Sequence, residues 1–103
     1  MSISNTRLTT VVSNIYVSSG NTVVSVMYFC NTDSSSKTLN LYAVPSGTTT
    51  VDSNVQIYQN VTIAGHDTFV VDMEKLVLSS GDTIRANVSL DDAVTATVSY
   101  VGI

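Results

Sequence analysis

The residues able to do acid–base or metal chemistry are few, and they are spread along the chain. The 103 residues include one histidine, His66, and one cysteine, Cys30. His66 lies between Gly65 and Asp67 in a predicted turn, where its chemistry would be that of a general base or a metal ligand. A zinc site needs three or four His, Cys or carboxylate ligands, and Cys30 lies on a predicted central strand. We therefore interpret His66 as a solvated turn residue.

The carboxylates are the second group with possible chemistry, because calcium takes several oxygen ligands. The sequence has no Asp-x-Asp-x-Asp-Gly loop, and aspartates in turns commonly bind their own backbone. It also has no readable Ser-His-Asp or Cys-His arrangement, no Gly-rich phosphate loop and no Rossmann pattern. We predict no catalytic residue, no metal site and no cofactor, and thus no enzyme. The carboxylates considered are Asp67, Asp72, Glu74, Asp82, Asp91 and Asp92.

The elements that would position these residues show a period of two almost throughout. In the segment Ala93–Tyr100, valine, alanine and tyrosine side chains fall on one side, and threonine and serine fall on the other. This alternation predicts a strand with one buried face. Apolar residues make up 44% of the chain and charged residues only 12%, so the polar surface comes mainly from Ser, Thr and Asn. This composition favours extended structure.

The pattern predicts an all-β fold, an antiparallel β-sandwich of about seven to eight strands in a single domain, residues 1–103. Immunoglobulin-like and jelly-roll topologies remain alternatives. The doublet Asp91-Asp92 predicts a tight hairpin between the last two strands. The strand-like segments are Leu8–Ser18, Thr22–Asn31, Thr38–Val44, Val55–Ile63, Thr68–Asp72, Leu76–Leu78, Thr83–Leu90 and Ala93–Val101.

One predicted strand, Val23–Cys30, is apolar on both faces, which is not expected of a half-solvated strand. Either a loop covers its outer face, or that face is a subunit interface. The interface reading predicts that Met27 and Phe29 lie at contacts. Tyr42 and Tyr58 are predicted on the polar faces of their strands, where an amphipathic tyrosine suits an interface, so we add them as contact residues.

Charge and cysteine content restrict the partners. The net charge is −4, and the four basic residues are scattered, so binding to nucleic acid or to an anionic membrane is disfavoured. A single cysteine cannot form an intrachain disulfide. The N-terminal residues lack the pattern of a signal peptide, and no apolar stretch is long enough for a transmembrane helix. We expect folding in a reducing cytoplasm.

Several segments resemble small β-sandwich virion structural proteins of tailed bacteriophages, with those of marine cyanophages as the nearest comparison. The resemblance covers about residues 20–103, and its best match is the segment Asp72–Ile84. The other matching segments are Cys30-Asn31-Thr32, Leu39–Gly47, Gln56-Ile57-Tyr58, Ile63-Ala64, Asp67-Thr68 and Val94–Val101.

The resemblance implies a non-enzymatic virion component made in the host cytoplasm. Capsid decoration or cement, and an accessory role at the neck or tail, are both compatible with it. Its partners would be other capsid or tail proteins and further copies of itself. A homo-oligomer is expected, and a trimer would match the local symmetry axes of a capsid. The alternative function is a small carbohydrate-binding or adhesion module, favoured by Thr- and Asn-rich faces with surface tyrosines and disfavoured by the absence of Trp.

Overall fold

The computed structural model describes residues 2–48, 51, 54–72 and 75–103. In these ranges the chain forms nine strands and no helix. Valine, threonine and aromatic residues make up most of β3 and β9, as expected for a pleated, half-buried surface. The strands are β1 (Ser2–Arg7), β2 (Ser13–Val17), β3 (Thr22–Asn31), β4 (Lys37–Val44), β5 (Gln56–Ile63), β6 (Thr68–Val71), β7 (Leu76–Leu78), β8 (Thr83–Val88) and β9 (Val94–Gly102).

The strands form two sheets, and every pairing is antiparallel. The five-stranded sheet has the order β1-β9-β3-β6, with β7 also paired to β3. The four-stranded sheet has the order β2-β8-β4-β5. Their inner faces enclose a core made mainly of Val, Leu, Ile and Ala side chains. The predicted all-β antiparallel sandwich is therefore confirmed.

The topology is that of a jelly roll. Strands pair from the two ends of the chain inward: β1 with β9, β2 with β8, β3 with β7 and β6, and β4 with β5. A long antiparallel ribbon that winds round in this way divides its strands between two sheets, which is the double Greek key of jelly rolls. This pairing selects the jelly roll over the immunoglobulin-like alternative.

The hairpin predicted at Asp91-Asp92 is wrong. β8 lies in the four-stranded sheet and β9 in the five-stranded sheet, so the link between them crosses the sandwich. Its backbone bonds to the β1–β2 connection, since the Asp92 amide donates to the Leu8 carbonyl at 3.0 Å. A side chain reinforces this contact, because the Thr10 amide donates to Asp91 Oδ1 at 2.7 Å. Strand periodicity does not encode which sheet a strand joins, which is why the sequence suggested a hairpin.

The first strand was also missed. The sequence predicted one segment, Leu8–Ser18, where the structure has β1 and β2 with the buried Leu8 between them. β1 is an edge strand with the sequence SISNTR, and it pairs only with β9. Because an edge strand that buries little needs no apolar alternation, its polar sequence carries no strand signal.

Candidate protein-contact surface

A β-bulge in β3 decides which side chains of that strand face outward. Val24 pairs with Tyr100 and Val26 with Ser99, so two residues of β3, Ser25 and Val26, oppose one residue of β9. An extra residue reverses the alternation beyond it. The bulge is held in place by the Ser25 hydroxyl, which donates to the Ser99 carbonyl at 3.0 Å.

Met27 and Phe29 are therefore core residues, and the prediction that they lie at exposed contacts is wrong. Their exposed fractions are 2% and 0%, and both belong to the core cluster. The bulge brings them to the same side as Val24, although the period of two places them on opposite faces. The sequence looked apolar on both faces partly because the inward residues are even-numbered before the bulge at Ser25 and odd-numbered after it.

The outward residues of β3 beyond the bulge are Val26, Tyr28 and Cys30. Tyr28 is 42% exposed, and Val26 and Cys30 are half-buried. An apolar contact face on β3 thus keeps a physical basis, but its residues are Val26, Tyr28 and Cys30 and not the predicted Met27 and Phe29.

Tyr42 and Tyr58 occupy different environments. Tyr42 lies on the side of the four-stranded sheet that faces away from the core, paired with Arg85, and is only 9% exposed. Tyr58 pairs with Leu41 and packs against the core, with its ring edge-on to Phe69 at a centroid distance of 5.4 Å. The prediction of a polar-face position is wrong for Tyr58, because β5 has register irregularities and a positive φ of 52° at Asn60. A contact role for Tyr42 and Tyr58 stays a prediction.

The main candidate contact surface is the outward side of the five-stranded sheet, which we call the outer face. One row of cross-strand neighbours joins three valines, Val77 on β7, Val23 on β3 and Val101 on β9. A second row runs through Val70, Tyr28 and Thr97. The full set of outward positions is Ile3, Asn5, Arg7, Val23, Val26, Tyr28, Cys30, Thr68, Val70, Val77, Thr95, Thr97, Ser99 and Val101.

The outer face exposes large apolar side chains, and the outward positions of its strands hold no carboxylate. Val77 is 68% exposed, and Val70 and Val101 are also exposed. Among the outward positions of the strands, the one charged side chain is Arg7, at a corner of the face. Lys75 and Asp72 lie at the gap between β6 and β7, where Lys75 Nζ donates to the Ser25 carbonyl at 2.7 Å. Contiguous exposed apolar surface of this kind marks contact sites.

The solvent-facing side of the four-stranded sheet is different, because it is rich in amide side chains. Asn40 Oδ1 accepts from Gln56 Nε2 at 3.1 Å and from the Asn60 amide at 2.9 Å. Asn87 Nδ2 donates to the Thr10 carbonyl at 3.3 Å. Asn87 Oδ1 is buried and has no donor within the part of the chain that the structure describes.

A small apolar groove opens between the edges of the two sheets. It has a volume of about 280 Å³. Its walls come from β3, β5, β6 and β7, so it lies where the edge strand of one sheet faces the edge strands of the other. The lining residues are Met27, Ile57, Tyr58, Val71 and Leu76.

The side chains considered for chemistry are dispersed. His66 is exposed at a positive φ of 58°, and its amide donates to the Asp33 carbonyl at 3.0 Å. Asp67 Oδ1 accepts the Thr68 amide at 2.8 Å, an ordinary turn contact. Glu74 lies outside the described residues. Across residues 2–48, 51, 54–72 and 75–103, no group of three His, Cys, Asp or Glu side chains is close enough to hold a metal ion.

Two aspartates have perturbed acidity with structural causes. The backbone amides of Ser46 and Ser79 donate to the two oxygens of Asp82, both at 2.9 Å, and they lower the pKa of that carboxyl. Lys37, 3.1 Å from Asp33 Oδ2, lowers the pKa of Asp33, and the Ser34 amide adds to the effect. Both carboxylates are tied to loop backbone or to a neighbouring ammonium.

The chain matches no protein-family model, no curated protein and no solved structure. Within the described part of the chain, no helix is long and apolar enough to cross a membrane.

Proposed function

We propose that this protein is a non-enzymatic structural component of a phage virion that works through repeated protein–protein contacts on its outer face. The observation that carries the proposal is the outer face itself, with exposed valines beside Tyr28 and no carboxylate on its strands. Such a surface is suited to burial against protein, because no acidic group has to be desolvated.

The fold and the sequence resemblance support the same proposal independently of the surface. Jelly rolls are a recurring architecture of viral capsid domains, although they also occur in lectins, so this is an analogy at the level of fold. The segments that resemble phage virion proteins include β7, β9 and the turn before β8. In a particle each copy needs only modest affinity, because many identical contacts act together.

The polar groups of the chain also fit a structural role. The carboxylates of Asp33, Asp82 and Asp91 accept hydrogen bonds from loop backbone amides. The buried asparagine Asn31 donates its amide hydrogens to the carbonyls of Ser35, Ile63 and Ala64. These groups hold connections together and are not directed into a common cleft.

Mass spectrometry of purified particles from the phage that encodes this chain tests the proposal. We expect the protein in the particles at a constant ratio to the major capsid protein. A high ratio would indicate decoration of the head, and a few copies per particle would indicate the neck or tail. Absence from purified particles, with the protein abundant in the infected cell, would contradict the proposal.

A carbohydrate-binding module is the second candidate, and the amide-rich face of the four-stranded sheet favours it. Asn40, Gln56 and Asn87 lie there with Tyr42 and Arg85, and amides and guanidinium groups suit hydroxyl-rich ligands. A glycan array with the wild type and the Arg85→Ala variant separates the two functions. Binding lost in that variant would favour the module, and no binding at high protein concentration would remove it.

A further inference from the structure

We infer that the outer face is occupied by a second copy of this chain, packed face to face about a two-fold axis that runs along the strands between β3 and β9. This inference deepens the proposed function, because it names the partner of the same face. It does not depend on a virion, since it concerns the protein in solution. Four features carry it: the area of the face, its charge, the order of its rows and the shapes of the strands that meet.

The area of the face is sufficient for a stable dimer. Its strands have six residues in β1, nine in β9, ten in β3, four in β6 and three in β7. With about 4.8 Å between strands and about 3.4 Å per residue, their flat projection is about 500 Å² per copy. Two copies would bury about 1,000 Å², which is the area that a specific interface needs, and the relief of the side chains adds to it.

The charge distribution favours a like partner. A chain of net charge −4 repels its own copies unless the surfaces that meet exclude carboxylates. The described acidic side chains all lie in connections between strands: Asp33, Asp67, Asp72, Asp82, Asp91 and Asp92. The outward positions of the five-stranded sheet contain none, and Asp72 lies at the gap between β6 and β7 with Lys75 hydrogen-bonded to its carbonyl, so contact through this face buries no carboxylate of its strands.

The order of the rows selects the direction of the axis. The three-valine row, Val77, Val23 and Val101, lies at one end of β3, and the row containing Arg7 and Cys30 lies at the other. An axis along the strands places each row against the same row of the second copy. An axis across the strands would instead turn the Arg7 end of each face toward the three-valine end of the other, so the guanidinium would lose solvation beside apolar side chains.

The same axis also pairs strands of complementary shape. Because the order β1-β9-β3-β6 reverses on rotation, β9 of one copy faces β3 of the other. The small Thr97 and Ser99 of β9 then lie opposite the larger Tyr28 and Val26 of β3. Large against small is the arrangement that lets two sheets interdigitate. Arg7, on the edge strand β1, remains at the solvated rim.

Size-exclusion chromatography with light scattering, at protein concentrations from micromolar to millimolar, tests this dimer. A monomer has a mass of 10.9 kDa, and we expect twice that value for the wild type. Val77→Lys should raise the dissociation constant of the dimer on the order of tenfold or more, because it places a charge in the three-valine row of each copy. The matched control is Val17→Lys, an exposed strand valine on the opposite sheet, which should leave the dimer intact.

The native cysteine provides a second measurement. Cys30 is half-buried on the outer face, and the proposed axis brings two copies of it across a sheet-to-sheet gap of about 10 Å. A bis-maleimide of that length should link two wild-type chains. A Cys30→Ser chain that carries Asn14→Cys on the opposite sheet should remain unlinked at the same concentration.

The outcomes separate this inference from the proposed function. A wild-type monomer at millimolar concentration, a trimer mass, or a dimer broken by Val17→Lys and not by Val77→Lys would each overturn the face-to-face dimer. None of these results would bear on whether the protein is present in purified particles, which is the test of the proposed function. Conversely, a dimer with the expected variant pattern would stand even if particles lacked the protein.

Discussion

Single residues in the loops fix how the two sheets are joined. Asn31 is fully buried at the end of β3, and its Nδ2 donates to the carbonyls of Ser35, Ile63 and Ala64. The side chain therefore ties the β3–β4 loop to the β5–β6 turn. Sequence periodicity marks Asn31 only as the end of a strand, because two of its three partners are backbone carbonyls more than 30 positions away.

Gly65 is required by the close approach of these same loops. A Cβ atom at this position would collide with the carbonyl of Ser34, which is backbone and cannot rotate away. We expect Gly65→Ala to lower the free energy of unfolding by about 1–3 kcal/mol. Gly102→Ala is the control, since a Cβ there meets no atom within 4 Å, and its effect should stay within about 0.5 kcal/mol. Equal values from urea unfolding would contradict the packing of the two loops.

Asp82 makes stability depend on pH. The amides of Ser46 and Ser79 hold its pKa below the ordinary value of 3.8, so the folded state prefers the carboxylate. The stabilisation that comes from a lowered pKa is complete above the pKa of the unfolded chain. It is lost as the pH falls through the pKa of the folded protein. Asp82→Asn should therefore lower the urea midpoint at neutral pH, and the difference from wild type should shrink below about pH 3.8.

The control for this experiment is Asp92→Asn, which removes the same charge from an exposed turn and keeps a residue that tolerates a positive φ. Its midpoint should follow that of the wild type across the pH range. A loss in Asp82→Asn that persists unchanged at pH 2 would show that the charge of Asp82 is not what its amide partners stabilise.

Among the strands, β3 shows how far the sequence predicts this structure. Its bounds, Thr22–Asn31, and those of β7, Leu76–Leu78, match the sequence prediction. The facing of β3 was not predictable, because a bulge needs a tertiary partner: here the Ser25 hydroxyl bonds to Ser99, 74 positions away. The contact residues chosen from strict alternation, Met27 and Phe29, were wrong for that reason.

A pair of truncations tests the parity of β3 directly. Phe29→Ala should destabilise the protein by about 3–5 kcal/mol, because it leaves a cavity between the sheets. Tyr28→Ala, on the outward side, should cost about 1 kcal/mol or less when unfolding is measured on dilute protein. A larger loss from Tyr28→Ala than from Phe29→Ala would place the bulge elsewhere.

The whole molecule is a jelly roll with two unlike outer faces. One face is apolar and free of carboxylates on its strands, and the other is rich in amides around Arg85. The sandwich class followed from the period of two, but the topology did not, since β8 and β9 are adjacent in sequence and lie in different sheets. The outer face could not be predicted from the sequence, because it is formed by strands from both ends of the chain that lie side by side in one sheet.

We propose that the outer face binds protein and that this contact is what the molecule contributes to a particle. The most direct measurement is the copy number of the Val77→Lys and Val17→Lys variants in purified particles, with each variant replacing the wild type during infection. We predict that Val17→Lys is incorporated like the wild type and that incorporation of Val77→Lys falls on the order of tenfold. Equal incorporation of both variants would contradict the account.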